Sequence, residues 1–135
     1  MATCTYTIYP TYTSIPAIQN AVEATEANAT IEISDPWLIT AIYGSGTTIT
    51  YAYAVNSSNQ GLLMYTSGGH GFEVGDKFTG AADESIKKVD GAPRVNGIKA
   101  SKMLVTHDNP VVATEVTSFS TITAANHSAF VTLKN

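Results

Sequence analysis

The stretch TTITYAYAV, Thr47 to Val55, alternates residue by residue without a break. Ile49, Tyr51, Tyr53 and Val55 share one side; Thr48, Thr50, Ala52 and Ala54 share the other. A period of two belongs to extended chain, because successive strand side chains point to opposite faces. β-branched and aromatic residues also fit a pleated surface. GSG (residues 44–46) stands in front of this run and WLITAIY (37–43) precedes it, so the two form a hairpin. The spacing predicts that the Ile49, Tyr51, Tyr53, Val55 side faces the core.

The rest of the chain repeats this grammar in shorter pieces. TIEIS (30–34), LLMYT (62–66), IKASKMLVT (98–106), VVATEVTSFSTIT (111–123) and AFVTLK (129–134) read as strands. Turn signals separate them: Asp35-Pro36, NSSNQG, HDNP and AANHS. TGAADESIKKVDGAPRVNG (79–97) reads as a polar segment between strands. Many short strands at short spacing predict a mainly β fold, a β-sandwich or small barrel, rather than a parallel α/β sheet. One short N-terminal α-helix interrupts the pattern. Ser14 suits its N-cap, Pro16 its first turn, and Ile15, Ile18 and Val22 fall on one face. About ten residues are expected in it, ending near Ala27-Asn28. The division that follows is an extended N-terminal arm, residues 1–13, and a single β-rich domain, residues 14–135. A chain of 135 residues has material for one core, not two.

Charge narrows the function classes. Only 13% of residues are charged, against about a quarter in ordinary soluble domains; 19 Thr and 17 Ala fill the space. Residues 1–76 contain no Lys or Arg and carry −6, and residues 77–135 carry +2, which together give the net −4. Nucleic acid is not an expected partner, since neutralising phosphates needs clustered cations. A membrane is not expected either, because no apolar run approaches 18 residues. Neutral hydroxylic surface loses few charges to desolvation when it is covered, which favours contact with another protein. The first residues lack the basic and apolar regions of a secretory signal, so synthesis in a host cytoplasm is expected.

The segment YTSGGHGFEVGDKFTG, Tyr65 to Gly80, concentrates glycine, a histidine and carboxylates. Its glycines miss the G-x-G-x-x-G spacing, and no G-K-[ST] follows, so it does not cradle phosphate. His70 has Glu73 and Asp76 nearby in sequence and His107, Asp108 and His127 farther off, but no helical histidine pair or cysteine cluster supports a metal. A solvated loop histidine is the expectation. Ser67, Ser128 and the lone Cys4 have no base fixed beside them by spacing. The stretch reads as strand, tight turn, strand, with Phe72 and Val74 facing inward. No enzyme activity, cofactor or metal is expected.

The arm is different. Thr3, Cys4, Thr5, Tyr6, Thr7, Ile8 and Tyr9 alternate, carry no charge and precede the first proline, so they are the expected partner contacts, by strand addition. A charge-poor β domain with an uncharged aromatic arm resembles the capsid decoration (cement) proteins of tailed phages, with tail-tube subunits a near alternative. The resemblance implies a structural protein of the virion, on the capsid surface, seated as a homotrimer on a viral coat-protein lattice. The faces of Thr47–Val55 and Val111–Thr123 are expected near the contacts. A carbohydrate-binding module is the other reading: Trp37, Tyr43, Tyr51, Tyr53 and Tyr65 would stack on sugar rings, and Asn56, Asn59 and Gln60 would supply hydrogen bonds.

Overall fold

The computed structural model describes residues 8–45, 48–116 and 128–133. In chain order its elements are β1 (Thr11–Tyr12), α1 (Ile15–Ala21), β2 (Ala27–Ser45), β3 (Thr48–Val55), β4 (Gly61–Tyr65), β5 (Lys77–Val89), β6 (Ala92–Asn96), a 3-10 turn (Ala100–Lys102), β7 (Leu104–Thr106), β8 (Thr114–Val116) and β9 (Val131–Leu133). β2 is antiparallel to β3 along its second half and to β5 along its first. β3 pairs with β4, β4 runs parallel to β6, and β6 pairs back with β5. The sheet therefore closes on itself as a five-stranded barrel, in the order β2-β3-β4-β6-β5. Of the two expected β architectures, the chain adopts the barrel.

Closure depends on β2, which is 19 residues long and runs straight through the expected turn at Asp35-Pro36. The register jumps there, from Ile33 opposite Gly80 to Trp37 opposite Phe78. A proline has no N–H to give the ladder and is accommodated where the ladder is broken, so the turn signal becomes a bulge that bends one strand around the barrel. β5 and β6 correct a second expectation. The polar segment is a hairpin, turned by Asp90 (φ 51°) and Gly91 (φ 81°), the pair of positive φ values that a two-residue primed turn needs. Its inward residues are few, Ile86 and Val95 with buried Pro93, so its apolar period is faint.

The interior follows from alternation. Ile31, Ile33, Trp37 and Ile39 enter from β2, Leu62 and Met64 from β4, and Phe78, Ile86 and Val95 from β5 and β6, all buried. From β3 the inward residues are Ala52 and Ala54, each fully buried. This reverses the sequence expectation for Tyr51 and Tyr53, which are only half-buried and stand outside. A five-stranded barrel has a narrow lumen, and Trp37 and Phe78, 5.9 Å apart edge-to-face, already take much of it. Methyl-sized side chains fit opposite them, and phenol rings do not.

Each end of the barrel is closed by a different device. At one end α1 inserts Ile15 and Ile18, and Val22 follows at its C-cap. Ser14 caps the helix as expected, accepting from the Ala17 N–H at 3.2 Å. The helix stops after seven residues because Val22 turns extended (ψ 136°), keeping its side chain in the core while the chain heads for β2. Gln19 Nε2 donates to the Gly61 carbonyl at 2.8 Å, tying helix to barrel. At the other end sits the glycine-rich loop, residues 66–76. It contains no strand: Phe72 is buried against Phe78 (4.5 Å), but Val74 is half-exposed, which corrects the inward-facing pair.

Of the expected arm, residues 8–13 are described. Thr11 and Tyr12 pair in parallel with Thr30 and Ile31, and the Thr30 N–H donates to the Pro10 carbonyl at 2.8 Å. Thr3, Cys4, Thr5, Tyr6 and Thr7 lie outside the described residues, while Ile8 is 89% exposed. Near the other terminus β8 and β9 make a parallel pair held to the barrel by Asn59, whose amide donates to Thr114 Oγ1 (2.6 Å) and the Phe130 carbonyl (2.9 Å). Gly61 permits this docking, since a Cβ there would lie 2.0 Å from the Ser128 carbonyl. Gly61→Ala is therefore expected to lose about 1–3 kcal/mol, as overpacking does, and to release the β9 segment to protease. Unchanged denaturant unfolding together with unchanged cleavage would show that the segment does not press on Gly61.

Candidate binding face

Because Ala52 and Ala54 occupy the lumen, Tyr51 and Tyr53 of β3 stand on its outer face. The registers then align Tyr43 of β2 opposite Tyr51, and Tyr51 opposite Tyr65 of β4. Cross-strand neighbours stand close enough for side-chain contact, and here they are all phenols. Tyr43 and Tyr51 stack with centroids 4.6 Å apart and planes 4° from parallel. Tyr53 lies 6.1 Å from Tyr43, and Tyr65 4.9 Å from Tyr51. Arg94 of β6 ends the row, its guanidinium carbon 4.9 Å from the centre of the Tyr65 ring. Aromatic pairs contribute about 0.5–1.5 kcal/mol beyond their burial, and an exposed cation over a ring about 0.5–1 kcal/mol. The row is thus fixed before anything binds to it.

Its electrostatics are simple. Burial against its neighbours pushes the Tyr43 phenol above its ordinary value, helped by the Tyr53 ring beside it, so this hydroxyl stays neutral. Arg94 adds one cation at the far end. Beyond it, Asn96 and Ser85 both donate to Glu26 Oε1, at 3.0 and 2.6 Å, and hold that carboxyl below its usual range. The row offers edges, hydroxyls and one guanidinium on a rigid sheet, in an order set by strand pairing.

The glycine-rich loop supports this face from beneath. His70 is buried, not solvated, which corrects the sequence reading. The Phe72 N–H donates to its Nδ1 at 2.9 Å, so the imidazole carries its proton on Nε2 and donates to the Tyr51 carbonyl, also 2.9 Å away. The His70 N–H and carbonyl are used as well, with Ile49 and Ala100. Both ring nitrogens are thus spent on backbone, and they fix the strand that carries the central tyrosine. Thr66, also buried, donates to the Ile98 carbonyl at 2.7 Å and pins the loop's other end.

Glu73, Asp76 and His107 come together instead, with one ligand atom of each inside 4.8 Å. Such donors suit a metal by type. Asp76, however, is buried with both oxygens engaged: Oδ2 accepts from the Glu73 N–H (2.9 Å) and Oδ1 from His107 Nδ1 (2.6 Å). A cation bound at His107 Nδ1 would have to break that bond. The arrangement reads as a clasp joining the start of β5 to the segment after β7, reinforced by Asn109, whose N–H and side-chain amide both donate to the Gly75 carbonyl.

The residues proposed for sugar contact divide. Trp37 is a core plug, 2% exposed. Asn56 and Gln60 bond to each other and to their own loop, and Asn59 holds the β8–β9 pair. Only Tyr43, Tyr51, Tyr53 and Tyr65 gather on one outer surface. Sequence reasoning named these four but placed Tyr51 and Tyr53 inside, and it did not single out Arg94. Comparison with protein-family models, curated proteins and solved structures finds no match.

Two outcomes follow from the supports. His70→Ala leaves a buried Phe72 N–H without an acceptor, so a loss of about 1–3 kcal/mol is expected, with a changed near-ultraviolet tyrosine spectrum. Wild-type stability would mean that a water replaces the imidazole. The His107 imidazole is raised above its ordinary 6.5, first by its hydrogen bond to Asp76 and then by that residue's charge. Its contribution is complete below the unfolded value and fades as pH climbs through the raised folded value. Unfolding of wild type and His107→Ala at several pH values should converge on the alkaline side; a difference independent of pH would refute the charged clasp.

Proposed function

We propose that this chain is a non-enzymatic structural protein of a virion, a decoration subunit that binds and stabilises a coat-protein lattice, and that the tyrosine row is its docking face. The observation that carries the reading is the row itself: four phenols in contact across β2, β3 and β4 on the outside of a closed barrel. Tyrosine supplies large contact area at little entropic cost and is enriched at interfaces and their hot spots. The lack of Lys and Arg before residue 77 keeps desolvation of that half inexpensive. A homotrimer fits a threefold position of such a lattice. Of the faces expected near the contacts, Thr48–Val55 contributes Tyr51 and Tyr53, and part of Val111–Thr123 lies outside the described residues.

A carbohydrate-binding module is the second reading, favoured by one observation. Small five-stranded barrels of the oligonucleotide- and oligosaccharide-binding type use the outer face of their second and third strands, which are β3 and β4 here, where Tyr51, Tyr53 and Tyr65 stand. This is analogy at the level of fold, and the scarcity of cations turns it toward sugar rather than nucleic acid. Ring geometry weighs against it. A sugar needs a free ring face, and the 4.6 Å parallel stack of Tyr43 and Tyr51 has turned faces toward each other.

Tyr43 is 46% exposed at the end of the row, so Tyr43→Ala tests contact without emptying the core. Co-sedimentation with assembled coat-protein shells should saturate for the native chain and weaken about tenfold or more in the variant, the loss of a moderate hot spot. Failure of the native chain to sediment with such shells, combined with saturable binding of a neutral oligosaccharide, would decide for the second reading.

A further inference from the structure

β7 is an edge. It pairs with β5 through Lys77, Phe78 and Thr79, and no described strand lies on its other side. Beside it an apolar groove of about 420 Å³ is bounded by Pro36 and Phe78 below and by Leu104 and Val105 along the strand. Leu104 is 78% exposed, the most exposed leucine among the described residues. An open strand edge next to an apolar groove is the arrangement that accepts an added strand: main-chain bonds give the pairing, and alternate side chains fill the groove. Natural edges are usually guarded by charge or proline, and Leu104–Thr106 contains neither.

We propose that the groove is filled by the arm of a second copy of this chain, residues Thr3–Tyr9, added as a strand against Leu104–Thr106. Deepening the structural-subunit reading, this gives the oligomer its contact. The segment has the required chemistry: it alternates, it carries no charge, and Tyr6 and Ile8 fall on the same side. Ile8, its last apolar residue before Pro10, is 89% exposed on its own subunit. The one charged side chain lining the groove is Lys77, so a neutral strand enters with little desolvation of charge.

Chain direction selects a second copy rather than the same one. β1 runs parallel to β2 with Thr11 level with Thr30, so going back from Thr11 the chain heads toward the Ala27 end. The groove lies the other way, at Pro36. From the level of Ala27 to Pro36 is about 30 Å along a strand at ~3.3 Å per residue. From Ile8 back to Thr3 a fully extended chain reaches at most about 18 Å, and a reversal would use part of that. Residues 3–9 are thus too few to reverse and return along their own β2, which leaves the groove of a second copy. Because donor and acceptor sites differ, the contact is head-to-tail, and it closes as a ring when the rotation allows.

The test uses the full chain. A fluorescent peptide of residues 2–9 is titrated into the wild-type protein at high dilution, and the protein's mass is followed by light scattering across a hundredfold concentration range. The peptide is expected to bind saturably, and its excess is expected to lower the mass of the concentrated protein. Leu104→Asp, at an exposed position where the fold tolerates change, should weaken peptide binding at least tenfold and shift self-association to higher concentration. Peptide binding that is indifferent to Leu104→Asp, or a mass that peptide does not lower, overturns the assignment. A mass lowered by Leu104→Asp but not by peptide would place another surface of the second copy in the groove, which also overturns it. Tyr43→Ala should bind the peptide as wild type does, so failure here and failure of the tyrosine face are separately visible.

Discussion

Closure of β2 around the barrel is the constraint on which the rest of this molecule depends. One strand has to serve β3 on one edge and β5 on the other, and it does so by bending at the Pro36 bulge. Closure fixes a narrow lumen, and once Trp37 and Phe78 are inside it β3 can contribute only methyl groups. The tyrosines of β3 are outside for that reason, and strand register then lines them up with Tyr43 and Tyr65. The aromatic surface here is a by-product of how the interior was filled.

The same economy explains the loop that opens the functional question. The glycines between residues 68 and 75 adopt positive φ, which lets the backbone fold back over the barrel end. That brings Phe72 onto Phe78 and His70 under Tyr51. The loop is a plug in which Thr66 and His70 bond to backbone. His70 spends both ring nitrogens there, and Asp76 spends both oxygens on the neighbouring clasp.

Two surfaces of different character result. The tyrosine row is rigid, neutral and presented on paired strands, which suits docking onto a fixed partner. Among the described residues the β7 edge beside Pro36 and Phe78 has no second strand and is apolar, which suits an extended segment. The proposed decoration of a shell requires two such valences, one surface for copies of the chain and one for the lattice.

Much of this chain was legible in its residues. Alternation identifies β3 and the first half of β2, LLMYT reads as the strand that is β4, and Ser14 and Pro16 mark the helix start. β5 and β6 were obscured because their outward charges outnumber Ile86 and Val95, although Asp90-Gly91 carried the hairpin signal. Alternation says that two faces differ, but Ile49-Tyr51-Tyr53-Val55 and Ala52-Ala54 are both apolar, so it could not say which is inside. That choice belongs to the closed barrel, where the size of the lumen and the volumes of Trp37 and Phe78, distant in sequence, exclude the larger rings. In the same way His70, Asp76 and His107 had their types written in sequence, while their roles came from which backbone and which partner the closed fold brought within 3 Å.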